Sequence, residues 1–561
     1  MLVKTIKFLA LGTLVFGSPL CQAAGKPNIL FIVADDLGFS DLHCYGGEIE
    51  TPNLDALAQN GVKFSQFYNG TRCCPSRASF LTGLYAHQAG IGHMTEDRKL
   101  PAYRGNLSKN AVTMAEVLRT AGYRTGMVGK WHLTPFVKPG QPDGNWPNNR
   151  GFDFFYGTLP GHGSLWDPKG LYENNTPISA GKNYFYTDAI AEKSIQFIKT
   201  RQDKPFFLYV PFTAPHYPLH AREKTIQKYR KTYQVGWDKI RQQRHARLIA
   251  QGLIPKSTKL APRDPASIPW EDEKNQRWQA HRMQVFAAMV DEMDQAIGKI
   301  IATLKQTGQF ENTLIVFISD NGGSNEGHLN NTIERLHKPW TSGMIPKKSP
   351  AGKPVVPGDI PNLDLGPATT YGSYGPRWAS VSNSPFRRHK SWVHEGGIAT
   401  PCIMHWPEKL TSYGTVANDL THITDLMPTF VAAANASYPT KFNGHLIPPM
   451  EGQSLLPTLT GNKVEVREVA WEHEGNRAYR IGSWKIVSEF PGSWSSMYPY
   501  KNKGQWELYN LATDRSEINN LAKTHPKKLQ QMIIKYNAWA KRVKVVEWSQ
   551  LEKNHPVEST Q

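Results

Sequence analysis

The sequence predicts an α/β fold: a large mixed, mostly parallel sheet flanked by helices, with a smaller C-terminal α+β domain. Two observations carry this. Short β-branched apolar runs alternate with amphipathic helical segments over most of the 561 residues, the pattern of strands covered on both faces. After GHLIPPMEGQSLLPTL, residues 444–459, the texture changes to short strands followed by one last helix.

Taken in order, NILFIVA at 28–34 is a buried strand ending in Asp35-Asp36. Thr51-Pro52, a cap followed by proline at the first helical position, starts a helix that runs to about residue 59 and stops at Gly61. Residues 111–121 form an amphipathic helix closed by Gly122, and the strand 123–128 leads into GKWH. Residues 187–200 are helical, with Ala191, Ile195 and Ile198 on one face, and PFFLYV at 205–210 is a strand ending just before TAPH. Val285, Met289, Met293, Ile297, Ile300 and Leu304 define a long helix over 281–306. The strand TLIVFIS, 313–319, ends in Asp320-Asn321-Gly322-Gly323. Two segments interrupt the alternation: 222–248, with nine Lys or Arg, reads as a solvated helical insertion, and 326–391 reads as long loops. Strands in 478–487 and 506–511 and a helix at 526–541 complete the chain. The expected division is a signal peptide at 1–24, a catalytic domain at 25–455 and a smaller domain at 456–561.

Ligands of such sheets bind beyond the carboxyl ends of the strands. Asp35-Asp36, Lys130 with His132, His216 and Asp320-Asn321 all fall at those ends. Any one of them reads equally well as a cap or turn residue; their convergence reads as a site.

Lys4 and Lys7, the apolar residues 8–16 and the small residues around Cys21-Gln22-Ala23 have the layout of a secretory signal peptide cleaved after Ala23 or Ala24, giving a periplasmic or secreted protein. No later segment has the apolar length of a membrane span. Cleavage leaves Cys44, Cys73, Cys74 and Cys402, too few for a disulfide framework and without C-x-x-C spacing, so a lone functional thiol stays open. The net charge of +18 suggests an anionic partner. Nucleic acid is not expected, since no zinc-finger spacing, RNA-binding signature or basic zipper occurs.

Asp35, Asp36, Asp320 and Asn321 make an all-oxygen donor set, suited to calcium and less to magnesium. Cys73-Cys74-Pro75-Ser76-Arg77 followed by Leu81-Thr82-Gly83 then resembles the C-x-P-S-R…L-T-G signature of the type I, formylglycine-dependent sulfatases. NILFIVADDLG, GMVGKWHL, APHYPLHA, VFISDNGG and KSWVHEGG support it. The texture is similar to that of bacterial arylsulfatases within the alkaline phosphatase superfamily.

The resemblance implies that Cys73 is oxidised by a formylglycine-generating maturation enzyme to Cα-formylglycine, with Cys74 incidental. It also implies one calcium ion on Asp35, Asp36, residue 73, Asp320 and Asn321, and Arg77, Lys130, His132, His216 and Lys390 around an anionic sulfate ester. For the cationic role of Lys390, Arg388 and His389 are nearby competitors. The implied reaction is attack of an aldehyde hydrate on sulfur, with His216 or a lysine protonating the leaving oxygen and His132 releasing sulfate. A sulfated polysaccharide or oligosaccharide, a phosphonate monoester or phosphodiester, and silent glycan binding by an unmatured Cys73 stand as alternatives. Trp166, Trp340 and Trp392 read equally as substrate contacts or as core packing, and His220 equally as a substrate contact or as a surface histidine.

Overall fold

The structure is a computed structural model that describes residues 25–135, 144–200, 203–327, 345–490 and 504–553; the signal-peptide reading of residues 1–24 and Trp340 fall outside them. Its centre is a ten-stranded mixed sheet. Four strands in its middle run parallel in the order Thr313–Ser319, Asn28–Ala34, Phe206–Pro211, Arg124–Lys130. Phe154–Thr158 extends the parallel run on one side, while Cys402–His405 joins antiparallel on the other. Register pairs Ala34 with Ser319 and Val33 with Pro211, so the residues that follow these strands emerge on one rim.

The period of two in the strands decides the two faces. Leu30 and Ile32 point into a core shared with Val285, Met289, Met293, Ile297, Ile300 and Leu304 of the helix Gln276–Gln306. Ile29, Phe31 and Val33 point the other way, against Phe80 and Leu81. Each such side chain, fully buried, contributes about 1.5–3 kcal/mol.

Element edges differ from expectation where a polar group sets them. The helix placed at 111–121 is Met114–Thr120, because Thr113 and Glu116 form a reciprocal capping box: Thr113 Oγ1 accepts the Glu116 N–H at 3.1 Å and Glu116 Oε2 accepts the Thr113 N–H at 2.7 Å. The long helix begins at Gln276, ahead of its apolar stripe, where the Gln276 side-chain amide donates to the Trp270 carbonyl at 2.9 Å. The run 478–487 is two strands, Asn476–Ile481 and Trp484–Ser488, reversed at Gly482, whose φ of 54° suits glycine.

The basic segment is helical, as Glu223–Lys228 and Gly236–Ala250, but not simply solvated. Arg244 is fully buried against Asp41 at 2.6 Å and Glu48 at 2.7 Å, and buried Arg241 donates to the Ala261 carbonyl at 2.7 Å. The region read as loops holds the helix Gly375–Ser382 and the paired short strands Val356–Pro357 and Thr370–Tyr371; the glycine and proline opening that helix had the look of loop punctuation.

The C-terminal part is an antiparallel sheet ordered Glu468–His473, Asn476–Ile481, Trp484–Ser488, Trp506–Asn510. Ala470, Tyr479, Ile486 and Leu508 pack under the helix Pro526–Val543. The alternate residues Val469, Trp471, Ala478, Val487 and Tyr509 join the core of the large sheet. Buried ions tie the two sheets together: Glu395 accepts from Lys485 Nζ at 2.9 Å, Arg515 Nε at 3.3 Å and the Tyr68 hydroxyl at 2.6 Å.

Candidate active site

The helix Cys73–Thr82 is buried along its whole length and closed by Gly83 at φ 70°. Cys73 is its first residue, at the positive end of the helix. Arg77, four residues on, shares its face. The fully buried Arg77 guanidinium donates from Nη2 (2.8 Å) and Nε (3.1 Å) to Asp320 Oδ2, and from Nη1 to the Lys130 carbonyl at 3.2 Å. Lys130 Nζ donates to Asp35 Oδ2 at 2.6 Å. Lys390 Nζ donates to Asp36 Oδ2 at 3.0 Å and lies 3.4 Å from His216 Nε2, which is itself 3.4 Å from Asp36 Oδ2. His132 and the two thiols offer ligand atoms within 4.8 Å of one another. Asp36 (φ 65°) and His132 (φ 55°) hold left-handed backbone just past their strands, a conformation unusual for non-glycine residues and common at functional sites.

The ten residues Asp35, Asp36, Cys73, Arg77, Lys130, His132, His216, Asp320, Asn321 and Lys390 therefore lie together on one rim. Of the three neighbouring candidates for the cationic role, Lys390 is the one turned inward: Arg388 pairs with Asp264 at 3.3 Å and Glu489 at 2.7 Å, and His389 faces Asp264 at 3.8 Å.

The electrostatics follow from burial. Desolvation pushes the Asp35 and Asp36 carboxyls up against the pull of Lys130 and Lys390, and the charges of Asp320 on Asp35 and Glu326 on Asp36 add to it. Burial works to lower the Lys390 ammonium, but Asp36 and Glu326 overcome it and hold it well above its usual range. Burial, Lys390 and Lys130 push the His216 imidazole well down. A hydrogen bond from the Cys74 thiol lowers the Cys73 thiol well below its usual range; burial opposes this, while His132, Lys130 and Lys390 reinforce it.

The donor set fits a hard divalent cation. Asp35 Oδ1 and Asn321 Oδ1 are buried oxygens with no hydrogen-bond partner among the described residues, beside Asp36 Oδ1, which accepts from Asn321 Nδ2 at 2.7 Å, and Asp320 Oδ1, which accepts the Asp36 N–H at 3.3 Å. An ion there would favour the charged form of Asp35 and Asp36.

Glu326 is a site residue that sequence reasoning missed. Its carboxylate bridges Lys390 at 3.1 Å and Arg72 at 3.0 Å, and these cations hold it ionised despite burial, with a pKa well below the usual range. It lies in a stretch without periodicity, so no local signal marked it. His162, stacked on His216 at 5.5 Å, was missed for the same reason. His220 is not a surface residue: it is buried, faces the Thr370 carbonyl at 2.8 Å and accepts the Leu165 N–H at 3.2 Å. Trp392 is likewise buried, and Trp166 packs on Phe185 at 4.6 Å.

Comparison with known proteins adds the decisive observation: the family model described as Sulfatase matches residues 27–436. The chain belongs to the sulfatase family. A second family model, N-sulphoglucosamine sulphohydrolase, C-terminal, matches residues 387–542. This sulfatase is 34% identical over 543 residues to an uncharacterized sulfatase of Schizosaccharomyces pombe, covering 91% of this chain and 92% of the relative. It is 33% identical to the arylsulfatase of Klebsiella aerogenes, covering 77% of this chain and 91% of that one. Among solved structures, Ps i-CgsB in complex with k-i-k-neocarrahexaose superposes with a TM-score of 0.62 at 24% identity, over 92% of this chain and 93% of that one, a likeness of fold. The chain is accordingly a hydrolase of the sulfatase class with the mixed-sheet architecture expected from its sequence, and no helix among the described residues is long and apolar enough to cross a membrane.

Proposed function

We propose that this sulfatase hydrolyses sulfate monoesters of the arylsulfatase type, after export and removal of residues 1–24, with 25–455 as its catalytic domain and 456–561 as a smaller unit. What supports the reading is the meeting of Cys73, four oxygen-donor residues (Asp35, Asp36, Asp320, Asn321) and the cations Arg77, Lys130 and Lys390 on one strand-end rim. Formylglycine made from Cys73 by a maturation enzyme would supply a hydrated aldehyde as nucleophile, and Asp35, Asp36, Asp320 and Asn321 would hold a calcium ion whose charge would favour loss of a hydroxyl proton beside it.

The chain's own residues do the rest. Arg77, Lys130 and Lys390 are held in place by carboxylates, so they receive the sulfate oxygens without reorganisation. His216 Nδ1–H donates to the Tyr217 carbonyl at 2.6 Å, an acceptor only, so the proton given to the leaving oxygen is carried on Nε2. Burial, Lys390 and Lys130 lower this imidazole in the free enzyme, and an entering anionic ester works in the opposite direction, favouring its protonated form. His132, beside position 73, takes the proton whose loss frees sulfate.

The test is a paired assay of purified, matured enzyme on 4-nitrophenyl sulfate and phenyl phosphonate esters, with sulfated oligosaccharides assayed in parallel. Intact-mass analysis of the peptide containing residue 73 comes first. Sulfate turnover well above phosphonate turnover is expected. The reverse ranking, or turnover by protein whose residue 73 is still cysteine, overturns the proposal.

A further inference from the structure

We propose that His93, His473 and Glu474 form a second metal site, for a divalent transition ion of the zinc class, where the C-terminal sheet meets the segment after the helix Cys73–Thr82. The three residues are buried, and their ligand atoms lie within 4.8 Å of one another. Glu474 Oε1 stands 3.8 Å from His93 Nδ1 and 3.7 Å from His473 Nε2. Zinc–ligand bonds of about 2.0–2.2 Å in tetrahedral geometry put neighbouring ligand atoms about 3.4 Å apart, so the two distances to Glu474 need to close by only a few tenths of an ångström.

Two further observations point to a ligand. His473 is wholly buried, and neither ring nitrogen makes a hydrogen bond among the described residues; an imidazole without partners in the interior loses both its hydrogen bonds with water. Burial also keeps that ring neutral, the form that ligates. Glu474 opens the hairpin turn between Glu468–His473 and Asn476–Ile481 with φ 51°, followed by Gly475 at 79°. Turns of this kind favour Asn, Asp or Gly at that position, so a glutamate held there indicates a task for its carboxylate.

Nitrogen donors separate this cluster from the all-oxygen set at Asp35 and suit a softer ion than calcium. Arg72 Nη1 reaches the same Glu474 oxygen at 3.3 Å, but Glu326 holds the guanidinium from the other side at 3.0 Å, so Glu474 can turn to an ion without stranding it. Glu472, which faces His87 Nε2 at 2.9 Å, adds negative charge nearby. An ion here fastens the C-terminal hairpin to His93, in the segment after the helix Cys73–Thr82.

The test uses full-length protein in a Cys73→Ala background, so that the pair of thiols beside His132 cannot contribute a site. Protein is incubated with ZnCl2 or CoCl2 in excess CaCl2, desalted and analysed for metals. About one zinc per chain is expected, falling at least about ten-fold in His473→Ala and His93→Ala, with calcium content and near-UV circular dichroism unchanged. The cobalt form should show visible ligand-field absorption that both variants lose. Should His473→Ala fail to fold, His473→Gln keeps the volume and carries the same expectation. Absence of zinc from the parent, or equal zinc in parent and variants, overturns the site. Turnover plays no part in this readout, so its failure is distinct from failure of the sulfatase reading.

Discussion

Lys390 offers the sharpest test of the active-site assignment, because three adjacent residues were candidates for one cationic role. Its ammonium is 1% exposed and sits 3.0 Å from Asp36 and 3.1 Å from Glu326. Lys390→Ala removes one fixed donor from the place where the sulfate oxygens gather charge. Removing such a donor costs about 10²–10³-fold, or about 2.7–4 kcal/mol of transition-state stabilisation. The loss should fall on kcat more than on KM, since the charge on sulfur's oxygens grows in the transition state.

Breaking a buried ion pair also destabilises, by about 3–5 kcal/mol. Here Asp36 keeps Asn321 at 2.7 Å and Glu326 keeps Arg72 at 3.0 Å, which places the cost near the lower end, about 3 kcal/mol. The assay is steady-state hydrolysis of 4-nitrophenyl sulfate by formylglycine-quantified enzyme, with thermal unfolding recorded on the same samples. Arg388→Ala is the control: that side chain is engaged by Asp264 and Glu489, and its loss should leave kcat/KM within a few-fold of the parent. A folded Lys390→Ala enzyme within about ten-fold of the parent, where about 10²–10³ is expected, refutes the assignment. So does an Arg388→Ala enzyme impaired as severely.

Cys73→Ala should lose turnover by about 10⁶-fold, as for a removed nucleophile, while Cys74→Ala should keep it within about ten-fold and lose about 1 kcal/mol of stability for its buried sulfur; equal losses contradict the separate roles. Chelation with EGTA followed by desalting should abolish sulfate hydrolysis and lower the unfolding midpoint, with calcium restoring both. Saturation at about 100 Kd is worth about 2.7 kcal/mol, and an unchanged midpoint with full activity argues against a bound cation. Glu395 is held down to about 2, against burial, by Lys485, Arg515 and Arg480. Its folded-state pKa is depressed, so its stabilisation is fully present above the unfolded value near 4.5 and is lost as pH falls toward 2. In a Glu395→Gln comparison by urea unfolding this should amount to on the order of 3 kcal/mol at neutral pH, shrinking to nothing at the acid end; a pH-independent difference refutes it.

Much of this sulfatase is legible because its chemistry rides on local pattern. The strand Thr313–Ser319 has the bounds its apolar run implies, and the first strand, 28–34, agrees residue for residue. Strands buried on both faces need unbroken β-branched runs, and the polar residues that end them are the ones the rim needs. The Cys73–Arg77 spacing puts thiol and guanidinium one helical turn apart before any tertiary contact forms.

Other features depended on the closed fold. Among Arg388, His389 and Lys390, the left-handed backbone at Arg388 and Ser391 and the reach of Asp264 and Glu489 settle which side chain turns inward. Glu326 gained its meaning from Arg72 and Lys390, and Arg244 from Asp41 and Glu48, partners brought together only when the sheet and its insertion close. A sequence records the period and polarity of each element directly. The pairing of buried charges far apart along the chain is set by desolvation, which forces every enclosed ion toward an opposite one and leaves no periodic mark in the primary structure.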